Sequence, residues 1–430
     1  MLAAVLALLA APVVTPGQDA HYRLDNGLEV ILRHDRRAPL VAVRLRVHAG
    51  SVDDPRGRSG LAHVVEHVAH EGSTHVDRGR RETLEYVLSA HANNAETGFY
   101  STEYYYTAPA QATEHVLWIE ADRLGFVRGQ HGEPTLAGVR RIVLNERRQR
   151  AEQDPLARLE IQALAALFPA GHPYHGAIIG SAEDLAAATI ADVDAFLGEH
   201  VHPGNATLVL VGDLPAETPA WIERHFGGLP AQPRPAARTV PRVTRPRELR
   251  IAAEQPVGAA PAVLMAWPSP ALDEDGDAAA DVLAEALERG GYVRLARAEG
   301  PPEAAEFQAT QRSLPHQSVF FVRVIGRVGG EPTRLVAEVD RVLSQVAAGA
   351  LAEPAVRRAR LRLARAHRSA QQDLQDRAAL LAAEAAAGKR LGGGQDVDEW
   401  MAVTPAEVAR FAREALRPEA RVAVLAEGER

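Results

Sequence analysis

Cysteine is absent from the 430 residues, lysine occurs once, at Lys389, and aromatic side chains make up only 5%. Without thiols the chain forms no disulfide, no thiolate metal site and no lipoprotein anchor, so a transition metal would need imidazole and carboxylate ligands. Abundant arginine beside one lysine reads as a coding preference rather than a phosphate-binding surface. The 48 basic and 56 acidic side chains leave a formal charge of −8, which argues against a general nucleic-acid binder. The N-terminal apolar run, "MLAAVLALLAAPVVTPGQ", falls short of the roughly 20 residues that span a bilayer. It resembles the core of a secretory signal, although a basic leader and a clear cleavage site are missing. The expectation is that residues 1–20 direct export, to a bacterial periplasm or beyond; if the run is no signal, the protein is cytoplasmic.

What is present is a concentration of histidine. In "GLAHVVEHVAHEGS", residues 60–73, a helical projection gathers Leu61, Val64, Val65, Val68 and Ala69 on one side. His63, Glu66, His67 and His70 gather on the other. His63 and His67 are four residues apart, so their imidazoles project side by side and can share one metal ion, most commonly zinc. Glu66 is placed to act on water at the metal rather than on the metal itself. The bland alternative is a solvated helix face that happens to be rich in histidine.

Strands are expected at "LEVILR" (28–33), "VAVRLRV" (41–47), near 95–100 and 103–108, and at "ATLVLVGDL" (206–214). Helices are expected near 82–90 and over most of 111–200. Elements in runs rather than strict alternation predict an α+β fold. The proline-rich segment 229–246 reads as a linker between a catalytic domain, 21–228, and a second domain, 247–430. The ends of the two halves match at an offset of 215: Thr189, Val193, Phe196 and Pro203 against Thr404, Val408, Phe411 and Pro418. Two homologous domains are expected, each a mostly antiparallel sheet packed with helices. The same offset carries His63 and His67 onto Ala278 and Val282, so the second copy lacks the ligands.

Two histidines leave zinc short of a third protein ligand. His70, His75, Glu120 and Glu146 are candidates. In "TLAGVRRIVLNERRQR" (135–150), Glu146 falls at the angle of the apolar stripe Val139, Ile142 and Val143, where a carboxylate needs a partner. A metal or a neighbouring arginine would serve equally.

The order HxxEH reverses that of the common zinc proteases. Together with "LDNGLEVIL", "HAGSVDDP", "NAETGFYSTEYYY", "VLNERRQR", "GHPYHGAIIG" and "NATLVLVGDL", it resembles the pitrilysin–insulinase metallopeptidases, in their mitochondrial-processing-peptidase-like subgroup of half-size chains. The resemblance is strong over 21–228 and mostly architectural beyond 247. It implies a zinc endopeptidase with one Zn2+ per chain, held by His63, His67 and Glu146, with Glu66 as general base and Asn94 contacting the substrate backbone. A non-catalytic assembly subunit is the alternative. His70 stands where relatives usually carry an aromatic residue; it either steadies a ligand from behind or merely fills space. Val139 stands where relatives often carry an accessory glutamate.

The resemblance also implies a second-half arginine and tyrosine that help to hold a peptide substrate. In "GGYVRLARAEGPPEAAEFQAT" (290–310), Arg294 and Arg297 are available, but the tyrosine position holds Ala304 or Ala305 and Tyr292 lies upstream. The expectation is a homologous partner subunit that supplies the Arg/Tyr pair in a heterodimer. A homodimer gripping substrate through arginines alone is the alternative.

Overall fold

The computed structural model describes residues 18–149, 155–245, 247–253 and 259–428. Residues 1–17 of the expected signal segment lie outside these. Among the described residues, no helix is long and apolar enough to cross a membrane.

The chain opens with strands β1 (Ala20–Arg23), β2 (Glu29–His34) and β3 (Leu40–Val47), then helices α1 (Leu61–His70) and α2 (Arg78–Val87). Next come β4 (His91–Thr97), β5 (Thr102–Pro109), α3 (Thr113–Phe126), α4 (Glu133–Arg148), α5 (Pro155–Leu167), α6 (Ala182–Ala187), α7 (Ile190–His200), β6 (Ala206–Gly212) and α8 (Thr218–Phe226). Then follow β7 (Leu249–Ala253), β8 (Ala262–Ser269), α9 (Asp277–Ala286), α10 (Tyr292–Ala296), β9 (Ala304–Arg312) and β10 (Ser318–Gly326). The chain ends with α11 (Pro332–Ala347), α12 (Glu353–Ala370), α13 (Leu374–Ala386), α14 (Gln395–Ala402), α15 (Pro405–Ala415) and β11 (Val422–Ala426).

The first sheet has the order β1-β2-β6-β3-β5-β4 and the second β7-β11-β8-β10-β9. In both, the C-terminal strand of the set, β6 or β11, runs parallel to one neighbour (β2 or β7) and antiparallel to the other (β3 or β8). The strand is preceded in both by a helix with a capping box, Thr189 with Asp192 and Thr404 with Glu407. The internal duplication is therefore structural, and the fold is α+β as expected.

The compact units are not the contiguous segments 21–228 and 247–430. Among the described residues, the first comprises those up to 143 with 182–237 and 371–392, and the second those within 144–181, 238–370 and from 393 onward. The halves exchange helices. Helix α13, from the second half of the chain, packs Ala378, Leu381 and Ala382 on Ile31, Ala42, Val209 and Val211 of the first sheet. Helix α5, from the first half, packs on β8 and β11. Strand β6 is buried along its whole length, in keeping with the apolar run of residues 208–211. The described residues of 229–246 form no helix or strand. They are nonetheless anchored: within the second unit, Val243 exchanges two hydrogen bonds with the Gln317 side chain, both at 2.8 Å.

Candidate active site

Helix α1 is held at both ends. Asp54 accepts from the Gly60 amide at 2.7 Å and the Ala62 amide at 2.8 Å, capping the first turn with a carboxylate. At the other end the buried Arg123 guanidinium of α3 donates to the Ala69 carbonyl at 2.8 Å. Arg123 is itself fixed by Glu120, by the Tyr106 hydroxyl at 3.0 Å and by the Tyr104 ring, 4.4 Å from its centre. Burial opposes the Arg123 charge, but Glu120, Tyr106 and Tyr104 together more than offset it, so the guanidinium stays protonated. Carboxylate at the N-terminus and guanidinium at the C-terminus both complement the helix dipole.

Between these ends the helix is more enclosed than its amphipathic pattern predicts. His63 and Glu66 are buried along with the apolar face. The His63 and His67 rings lie 4.8 Å apart, nearly perpendicular. Helix α4 supplies the next group. Leu136, Val139 and Val143 are its buried side chains, and Glu146 continues their stripe by three residues. Ile142, expected on that stripe, is instead 41% exposed. The boundary between units falls after Val143, but α4 is one unbroken helix. Ligand atoms of His63, His67 and Glu146 all lie within 4.8 Å of one another. Two imidazole nitrogens and a carboxylate oxygen at this spacing suit zinc, whose tetrahedral donors sit about 2.0–2.3 Å from the ion.

The other candidates lie outside that cluster. His70 packs on Tyr104 with ring centres 5.7 Å apart, and Glu120 is committed to Arg123. His75 pairs with Asp122 at 2.5 Å. Asn94 is exposed and lies inside β4 rather than ahead of a strand, because β4 begins earlier than expected. Strand β4 is an outer strand of its sheet.

Asp54, Arg123 and Thr97 were not singled out from the sequence. Thr97 donates to Glu66 Oε2 at 2.5 Å. The only prior signals for Asp54 and Thr97 were their places in "HAGSVDDP" and "NAETGFYSTEYYY".

In the second unit α9 follows β8 as α1 follows β3, and its buried residues are Asp277, alanine, valine and leucine. Tyr292 stacks on Phe307 at 3.9 Å, and its hydroxyl bonds Glu338 at 2.5 Å, so it is a core residue. Ala304 and Ala305 open β9, an outer strand of the second sheet, and the two prolines precede it.

Comparison with known proteins agrees with this architecture. Residues 29–128 match the family model described as insulinase (peptidase family M16), and 187–363 match that of the peptidase M16 inactive domain. A Helicobacter pylori protein named zinc protease PqqE is 25% identical over 237 residues, 52% of either chain. A fission yeast protein, Schizosaccharomyces pombe probable mitochondrial-processing peptidase subunit beta, is 26% identical over 52% of this chain and 48% of its own. The matched region thus spans about half the length of these curated relatives. A crystal structure of a protease from Helicobacter pylori superposes with a TM-score of 0.84 at 20% identity, covering 96% of this chain and all of the other. With both of its family models matched in order along two duplicated sheets, the chain belongs to the insulinase, or M16, peptidase family.

Proposed function

We propose that this chain is a zinc-dependent endopeptidase that hydrolyses flexible peptides or unfolded segments. The observation that carries the reading is the convergence of His63, His67 and Glu146 within 4.8 Å beside Glu66. Zinc held by these three would polarise a scissile carbonyl and acidify water. Glu66, enclosed on the same helix, takes the proton of the attacking water and passes it to the leaving amine. The outer strand β4 offers its backbone to an extended peptide, with Asn94 contacting the peptide main chain. Recognition through backbone favours flexible chains and spares folded ones. His70, behind the ligands, supports α1 through Tyr104. The proposal includes export directed by the apolar N-terminal run.

The test is metal analysis coupled to a peptide-library digest. Glu66→Gln should abolish cleavage and retain about one zinc per chain, whereas Glu146→Gln should lose zinc. Equal loss of metal and activity in Glu66→Gln would make Glu66 a ligand. Full zinc occupancy in Glu146→Gln would remove Glu146 from the ligand set. A wild-type chain that neither binds zinc nor cleaves would favour the reading as a non-catalytic assembly subunit.

A further inference from the structure

We infer that Thr97 is a positioning residue for Glu66, and that through it the substrate-binding strand sets the base. The inference rests on the reading of Glu66 as the base. A glutamate side chain has three rotatable bonds, and burial alone does not fix the plane of its carboxylate. Here the Thr97 hydroxyl donates to Oε2 at 2.5 Å and fixes that plane. Thr97 is the last residue of β4, paired with Thr102 of β5.

The place of Thr97 is itself defined. The Gly98 amide donates to the Ser101 carbonyl at 2.7 Å, closing the turn after β4. The Ser51 and Val52 amides donate to the Gly98 and Phe99 carbonyls, each at 3.0 Å. Gly50 permits this approach, because a Cβ there would meet the Gly98 carbonyl oxygen at 2.4 Å. The same segment runs on to Asp54, which caps α1. Thr97 and Glu66 are therefore referred to one backbone frame. The opposite end of β4 has a register irregularity between His91 and Asn94. A peptide adding to β4 orders a strand whose far end holds the base in its working orientation.

The test compares Thr97→Val, which keeps the shape and removes the hydroxyl, with Thr97→Ser, which keeps the hydroxyl. Both are assayed on a flexible peptide alongside zinc content and thermal melting. Thr97→Val should lower kcat by about 10- to 100-fold with KM and zinc content unchanged, and Thr97→Ser should restore most of the rate. Thr97→Ala serves if the valine variant misfolds. A kcat within twofold of wild type overturns the inference, as does a rise in KM alone or a serine variant as slow as valine. Glu66→Gln, run in parallel, separates the two readings: activity retained there would mean that the base assignment, not the Thr97 link, has failed.

Discussion

Burial first, and then the nearby Arg123 guanidinium, push the His70 imidazole down to about 2, and burial with Arg234 and Arg46 holds His48 down to about 3. Both rings are neutral in the folded chain at any working pH. An unfolded chain takes up these protons near pH 6.5, so the stabilisation is complete above 6.5 and is lost as pH falls towards the folded values. Each ring costs up to about 1.4 kcal/mol per pH unit in that window. His70→Phe restores an aromatic surface against Tyr104 and removes one of these protons. Denaturant unfolding at pH 7.5 and 5.5 should show the variant losing about 1.4 kcal/mol less than wild type. An identical acid loss in both would mean that the His70 ring charges in the fold as readily as out of it.

The same Arg123 decides how α1 is held. Its ion pair with Glu120 is fully enclosed, and removing one partner strands the other. Arg123→Met should destabilise the fold by about 3–5 kcal/mol, and adding Glu120→Met should recover part of that loss. Urea titrations of the single and double variants measure both; a double variant no better than the single would mean that the Ala69 carbonyl, not the stranded charge, dominates. None of this was readable locally. Glu120 and Arg123 stand three apart in "WIEADRLGF", a spacing that describes a solvated pair as well as a buried one. What distinguishes them is a carbonyl 54 residues away. The readable features were those set by local chemistry. Thr189 and Thr404 cap their helices as their spacing predicts, because a capping box closes within four residues. His63, His67 and Glu66 share α1 because helical periodicity alone places them there. Ile142 points outward against its periodicity, since the neighbours that define a buried face lie elsewhere in the chain.

The exchange of α5 and α13 shows the same limit over longer distances. An amphipathic helix specifies that it must cover an apolar surface, not which of two duplicated sheets it covers, so the proline-rich segment alone divided the chain wrongly. The duplication leaves the second copy without the histidines of the first. α9 occupies the place of α1 without histidine, Tyr292 is committed to Phe307 and Glu338, and β9 begins with Ala304 and Ala305. Arg294 and Arg297 are exposed, and β9 opens with alanine at the position where the resemblance implies a tyrosine. We therefore propose that a homologous subunit, with the Arg/Tyr pair and without HxxEH, completes the substrate site. The purified chain should cleave flexible peptides weakly, with KM raised, and addition of the candidate homologue should lower KM while kcat per zinc changes little. Steady-state kinetics across a titration of the homologue, with sedimentation to establish a one-to-one complex, decides the matter. Full activity of the chain alone, unchanged by the homologue and accompanied by self-association, would instead assign substrate binding to a homodimer and to its arginines.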